Sequence, residues 1–236
     1  DEFPYPLYSQ YGTHWAYATI PMVSDSMLRM METLSGKSLP SIEVTDINLT
    51  TDYFHQDREL EGQFNLLFPL SKPAIPNPQF VLTDTIGKYK PNLVVVSDSY
   101  FVAFEKTCFV EAFNSWNYLK YNDYIISSNP KYNWKRIGYL PEANDLIEDA
   151  DIVMALFTAP MMYDYMFGFP EMAMRLLSKG TLCEEDKIEM MMQVISDNPQ
   201  WYEAVVKQAK ELGITTEENL RRNAIYTIRT REKAKP

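Results

Sequence analysis

The run Leu93-Val94-Val95-Val96, closed by Ser97-Asp98-Ser99-Tyr100, constrains the fold more than any other segment. Consecutive apolar and β-branched residues read as a buried strand, and the small polar residues stop it abruptly. The segment Phe101–Phe113 that follows is compatible with a helix. Ser99 therefore falls at a strand-to-helix turn, on the carboxyl edge of a sheet. Backbone N–H groups at such a helix start can stabilise an oxyanion, which makes the turn a suitable place for a nucleophile.

A second strand, Asp151–Phe157, ends in the same way at Thr158, with Pro160 shortly after. Two strands that end in short polar turns before helix-forming sequence indicate βα units and a mostly parallel sheet. The expected architecture is a single three-layer α/β/α domain over residues 1–236. Residues 170–236 form its helical C-terminal part, packed against the sheet.

The remaining elements are less sharply marked. Trp15–Leu34 carries Ile20, Val23, Met27, Met30, Met31 and Leu34 at helical spacing, and Gly36 and Pro40 follow, so a helix should end near Ser35. Ser41–Val44 and Gln79–Thr83 are short strand candidates. Between them lies a polar stretch broken by Pro69, Pro73, Pro76 and Pro78, with room for a helix over Glu59–Leu67. Ser115–Tyr124 is rich in aromatic residues and leads into a loop through Asn133. Pro141–Glu148 suits a short helix. In the C-terminal third, Thr181 and Glu184 have capping-box spacing, Asn198-Pro199 opens a helix that Gly213 stops, and Thr215 or Thr216 opens the last one.

Composition narrows the possible functions. A hydrophobic fraction of 46% excludes a disordered chain, and a net charge of −10 argues against a nucleic-acid partner. No run is apolar for long enough to span a membrane. The chain opens at Asp1 and not at Met, which reads as a processed or trimmed chain, with room for a missing leader or anchor. Missing N-terminal residues could also complete the sheet. Cys108 and Cys183 form no CxxC motif and lie near no histidine, so no zinc site is expected. Two cysteines permit one disulfide, although Cys108 in an apolar stretch reads as a buried free thiol.

A nucleophilic Ser99 needs a base, and the chain has only two histidines. His55 sits in the polar stretch Asp52–Arg58 and reads as solvated. His14 lies in the compact cluster Tyr11-Gly12-Thr13-His14-Trp15, just before the first long helix. The candidate catalytic pair is Ser99 with His14. Trp15, Tyr100, Asn114 and Trp116 are candidate substrate contacts, and Asn114 and Asn117 are candidate oxyanion donors by their place after the nucleophile segment. No cofactor or metal is expected. Asp98 neighbours Ser99 but cannot form the needed relay.

Gly12-Thr13-His14-Trp15 ahead of an amphipathic helix, followed by Ser97-Asp98-Ser99-Tyr100 after a Val-rich strand, resembles the SGNH hydrolase-like proteins of the alginate O-acetyltransferase type. Further segments resemble their Bacteroidetes-type members: Glu59–Pro69, Asn114–Tyr121, Asp151–Phe157, Phe167-Gly168-Phe169 and Asp197–Ala209. In that family an Asp-x-His-Trp motif precedes the Gly-Asp-Ser motif. The resemblance implies a flavodoxin-like α/β/α fold, with Ser99 as nucleophile, His14 as base and a structural role for Asp98. It also implies O-acetyl ester chemistry on an acylated carbohydrate outside the cytoplasm, with a membrane-bound acyl-transfer partner.

Two positions depart from the family pattern. Gly12 stands where the family has the acid that orients the histidine, and Ser97 stands where it has glycine. Loss of the orienting acid ordinarily costs orders of magnitude in turnover. A degenerate, carbohydrate-binding member of a polysaccharide assembly is therefore an alternative. A structural domain in which His14 and Ser99 are ordinary packed residues is another.

Overall fold

The computed structural model describes residues 5–64, 68, 70–140, 143–179 and 182–233. The chain is mixed α/β and divides into two compact units. The first comprises Asp1–Leu93 and Ser99–Trp116, the second Val94–Asp98 and Asn117–Pro236.

In the first unit, Tyr8 and Trp15 form an isolated antiparallel bridge that pinches residues 8–15 into a loop. A 3-10 turn, Tyr17–Thr19, leads into helix α1, Ile20–Ser35. Pro21 sits in the first turn of α1, where its missing N–H costs nothing, and Gly36 ends the helix at φ 66°. Ile20, Met27, Leu28 and Met31 are buried, whereas Met30 and Leu34 of the expected apolar stripe are exposed.

Strands β1, Ser41–Thr50, and β2, Ile75–Thr83, pair as a two-stranded antiparallel ribbon with an irregularity between Val44 and Asp46. Both are longer than the short strands expected. Pro76 and Pro78 are two residues apart, so both leave the missing N–H on the side facing away from β1, where no ladder bond is needed. Helix α2 covers Glu59–Gln63, shorter than expected; Leu67 and Pro69 lie outside the described residues.

The expected helix after Ser99 is instead two 3-10 turns, Ser99–Ala103 and Cys108–Ala112. Thr107 separates them, its hydroxyl accepting the Phe109 N–H at 3.3 Å to start the second turn. Phe101, Phe104, Phe109 and Phe113 pack ring against ring at 5.2–6.2 Å and are buried. Aromatic clustering, not helical continuity, organises this segment.

The four-stranded sheet has the order β5-β4-β3-β6, with β3 at Asn92–Ser97, β4 at Ser115–Lys120, β5 at Tyr124–Ser127 and β6 at Ile152–Leu156. The stretch expected to run into a loop is thus a hairpin. Antiparallel β4–β5 pairing makes the sheet mixed where a mostly parallel one was expected. Tyr121 and Asn122 turn the hairpin with φ values of 53° and 48°, the left-handed pair of a type I′ turn.

Within the second unit, Val94, Val96, Leu119, Ile125, Met172 and Leu176 belong to one apolar core. Asp98 ties its carboxylate to the N–H and hydroxyl of Thr158, both at 2.9 Å, and its carbonyl accepts the Tyr118 hydroxyl. This end of β3 is therefore latched to the end of β6, and Asp98 is occupied structurally. Ser97 is buried, and its hydroxyl has no hydrogen-bond partner among the described residues.

Helix α3 covers Ala143–Glu148, and α4 covers Phe169–Lys179. Pro141, expected to open α3, lies outside the described residues. Helices α5, Glu184–Asp197, α6, Pro199–Leu212, and α7, Thr216–Lys233, share a small core of Ile195, Val205, Leu220 and Ala224. Cys183 caps α5, with its N–H donated to Asp186 at 3.0 Å; Thr181 lies outside the described residues. Asn198 caps α6 through the Trp201 N–H, Gly213 ends it, and the Thr215 hydroxyl accepts the Glu218 N–H at the start of α7. No helix among the described residues is long and apolar enough to cross a membrane.

Candidate active site

Two stretches of the first unit, residues 7–17 and 55–60, are sewn together by short polar contacts. The Ala16 N–H donates to the Leu7 carbonyl at 2.8 Å, closing the loop that carries Gly12, Thr13 and His14. The Leu60 N–H donates to the Tyr11 carbonyl at 2.9 Å, and the Ser9 hydroxyl to the Asp57 carbonyl at 2.9 Å. The Asp57 carboxylate in turn accepts the Tyr17 N–H. At Gly12 the two backbones approach closely. A Cβ at this position would lie 2.0 Å from the Gln56 carbonyl oxygen and 2.6 Å from the Ser9 hydroxyl. No side chain fits there, so an acid at position 12 is incompatible with this docking.

The acid comes from the docked stretch instead. Glu59, the first residue of α2, places its carboxylate 2.7 Å from His14 Nδ1. The other ring nitrogen, Nε2, lies 2.7 Å from Ser99 Oγ. An ionised carboxylate only accepts hydrogen bonds, so Nδ1 carries the proton facing Glu59. Nε2 of the neutral ring is then left to accept the Ser99 hydroxyl proton. Thr13 adds its hydroxyl at 2.6 Å and its N–H at 3.1 Å, both donated to Glu59 Oε2.

His14 and Glu59 are largely shielded, with side-chain exposures of 17% and 13%. Burial works against ionisation of Glu59. The hydrogen bonds from the Thr13 hydroxyl, His14 and the Thr13 N–H outweigh it and hold the carboxyl below the usual carboxylate range. Asp57 shows the opposite balance. Its burial pushes the carboxyl up to about 6 against the hydrogen bonds from Tyr17 and Ser9, and the neighbouring Glu59 charge adds to the rise.

Among the residues singled out by sequence, His14 and Ser99 come together, 85 positions apart. Trp15 and Tyr100 pack beside them. The Tyr100 ring lies 4.8 Å from His14 and 5.3 Å from Trp15, and the Tyr100 hydroxyl donates to the Thr13 carbonyl at 2.6 Å. Tyr100 therefore braces the histidine loop. The Asn114 amide donates to the Asn92 side chain at 2.8 Å, which commits it to anchoring the start of β4. Trp116 is half-buried in β4. Asn117 belongs to the second unit, where its side-chain oxygen accepts the Ser127 hydroxyl at 2.7 Å. His55 is exposed, as expected, with its side chain 89% accessible.

Glu59 is the residue that motif reading missed. Its signal was indirect: a histidine motif without its acid requires a carboxylate from elsewhere in the chain.

A cleft of about 920 Å³ in the second unit is lined by Phe167, Met172, Met190, Met191 and Trp201, among others. The cations on its walls are already paired: Arg136 with Asp123 at 3.6 Å, Arg175 with Asp186 and Glu189, both at 2.9 Å, and Lys187 with Glu184 at 2.7 Å. Cys108 and Cys183 are free thiols. No group of three His, Cys, Asp or Glu side chains among the described residues is arranged to hold a metal ion. Comparison with protein-family models, with curated proteins and with solved structures returned no match to the chain.

Proposed function

We propose that the chain is a serine acyl ester hydrolase or O-acyltransferase, with Ser99 as nucleophile, His14 as general base and acid, and Glu59 as the orienting acid. The supporting observation is the unbroken series of contacts from Glu59 through His14 to Ser99, at 2.7 Å on each side of the imidazole. Nucleophile, base and orienting acid in mutual hydrogen-bond reach is the arrangement acyl transfer requires.

In this reading the Ser99 hydroxyl gives its proton to His14 Nε2 as Oγ attacks the ester carbonyl. The backbone N–H of Ser99 is one donor to the oxyanion. His14 then protonates the departing alcohol oxygen, leaving an acyl-Ser99 ester. Water or a sugar hydroxyl passes its proton to Nε2 and attacks the acyl carbon, and His14 returns that proton to Oγ as the Ser99 ester bond breaks. Glu59 stabilises the imidazolium in both halves and fixes which nitrogen carries the resting proton.

The substrate class and setting rest on the resemblance of the His14 and Ser99 motifs to the SGNH hydrolase-like family of the alginate O-acetyltransferase type. On that basis the fold is the family's three-layer α/β/α arrangement, and the substrate is an O-acetylated carbohydrate outside the cytoplasm, handled with a membrane-bound acyl-transfer partner. The carboxylate of Glu59 supplies what Gly12 lacks, which favours turnover over binding alone. The test is acetate release from p-nitrophenyl acetate and from an acetylated glycan. Ser99→Ala is expected to abolish it in a folded protein, and unchanged release would exclude Ser99 as nucleophile.

A further inference from the structure

We infer that Thr13 is a positioning residue, whose hydroxyl sets the Glu59 carboxylate against His14. The inference rests on the acyl-transfer reading above and adds a residue to it. Glu59 reaches His14 from a separate stretch of chain and on a side chain with three rotatable bonds, so nothing covalent fixes where its oxygens lie. Thr13 supplies that constraint from the histidine's own loop. Its hydroxyl donates to Oε2 at 2.6 Å and its N–H to the same oxygen at 3.1 Å. The hydroxyl oxygen also lies 3.3 Å from His14 Nδ1. One residue thus touches both partners of the acid–base contact.

Thr13 is itself held. Its carbonyl accepts the Tyr100 hydroxyl at 2.6 Å, and Tyr100 follows Ser99 directly. The contacts therefore close a ring: Ser99 to His14, His14 to Glu59, Glu59 to Thr13, Thr13 to Tyr100, and back through the chain to Ser99. Other ionisable groups face Glu59 as well. His55 Nδ1 is 3.8 Å from Oε1, and Asp57 lies two residues before Glu59. An unrestrained carboxylate could turn towards His55, away from His14.

Thr13 is exposed, so its substitution should spare the fold. The experiment compares Thr13→Val, which keeps the shape and the N–H but loses the hydroxyl, with Thr13→Ser, which keeps the hydroxyl. Two readouts are needed. The first is the pH profile of kcat/KM on p-nitrophenyl acetate. The second is the imidazole Nδ1–H resonance of His14 by proton NMR, which reports the contact with Glu59 whether or not the protein turns over.

Thr13→Val should lower kcat/KM about tenfold, the order expected for one hydrogen bond to a charged group, mainly through kcat. The Glu59 carboxyl should also protonate at higher pH than in the wild type, because it loses a hydrogen bond that favours its ionised form. The Nδ1–H signal should move upfield and exchange faster with water. Thr13→Ser should behave like the wild type on both readouts. Wild-type values for Thr13→Val on either readout would overturn the role, as would equal losses in the Ser and Val variants. If the wild-type protein releases no acetate, the acyl-transfer reading fails, and the resonance alone decides whether Thr13 holds the Glu59 contact.

Discussion

The Glu59 carboxylate stands 2.7 Å from His14 Nδ1 although 45 residues separate the two. In the resembled motif the acid sits two residues before the histidine. Here that place is Gly12, and it is closed to any side chain by the Gln56 carbonyl. The stretch whose close approach excludes an acid at position 12 is the one that delivers Glu59.

Glu59→Gln should keep the packing but present an amide where the ring expects a charge. The wrong tautomer and a less stable imidazolium should lower kcat on the order of 10³-fold, with a far smaller change in KM. Steady-state kinetics on p-nitrophenyl acetate tests this, and a loss of less than threefold would remove Glu59 from the mechanism.

Gly12→Ala should push the 7–17 and 55–60 stretches apart. The added Cβ meets backbone at 2.0 Å, and backbone cannot rotate away as a side-chain tip can. We expect a loss of about 1–3 kcal/mol in unfolding free energy, the usual cost of overpacking. Activity should fall as Glu59 is displaced. Restoring the motif acid with Gly12→Asp in a Glu59→Ala background should give no recovery. Chemical denaturation and acetate release measure the two effects, and a fully active Gly12→Asp/Glu59→Ala protein would contradict the docking.

Asp57→Asn should change how stability depends on pH. The Asp57 carboxyl is raised to about 6 in the fold, against ~3.9 for a free aspartate. Its contribution is therefore complete below pH ~4 and is lost as pH rises through about 6. Asparagine can still accept the Tyr17 N–H without a charge to bury, so the variant should be more stable than the wild type by about 2 kcal/mol at pH 7. Glu59 acts in the opposite sense. Its carboxyl is held low, so its contribution is lost as pH falls below the ordinary glutamate range, and removing Asp57 should leave that acid loss more visible. Urea titrations between pH 4 and 8 are the measurement, and parallel curves for the two proteins would refute the assignment.

Tyr100→Phe retains the ring against His14 and Trp15 but removes the bond to the Thr13 carbonyl. One neutral hydrogen bond is worth about 1 kcal/mol, so kcat/KM should fall no more than about tenfold. Tyr100→Ala, which also removes the packing, should cost more. Equal activity in the two variants would mean that the ring itself contributes nothing.

Local chemistry explains which parts of this molecule could be read from sequence. Leu93–Val96 declared its strand because four apolar residues in a row carry their own signal, and Asn198-Pro199 with Gly213 bounded a helix by caps that act within one turn. His14 and Ser99 were legible as short motifs, and the structure brings them together. The first half of β2 was hidden by prolines that only an edge tolerates, and β5 by a turn of Tyr121 and Asn122 without the usual glycine. Glu59 left only the indirect signal of a histidine motif without its acid, because its place depends on two distant stretches docking, and no periodicity records that.

The closeness of Gln56 to Gly12 has one more consequence. Nucleophile and base touch each other directly, whereas the acid belongs to the 55–60 stretch. Were the stretch to lift by a few ångströms, the charge behind the ring would be withdrawn and the histidine loop would lose its hydrogen bonds to Asp57 and Leu60. Turnover would then be dimmed in proportion to the time spent lifted and not extinguished. Any partner that presses residues 55–60 onto the histidine loop would act on this chain as a brightness control.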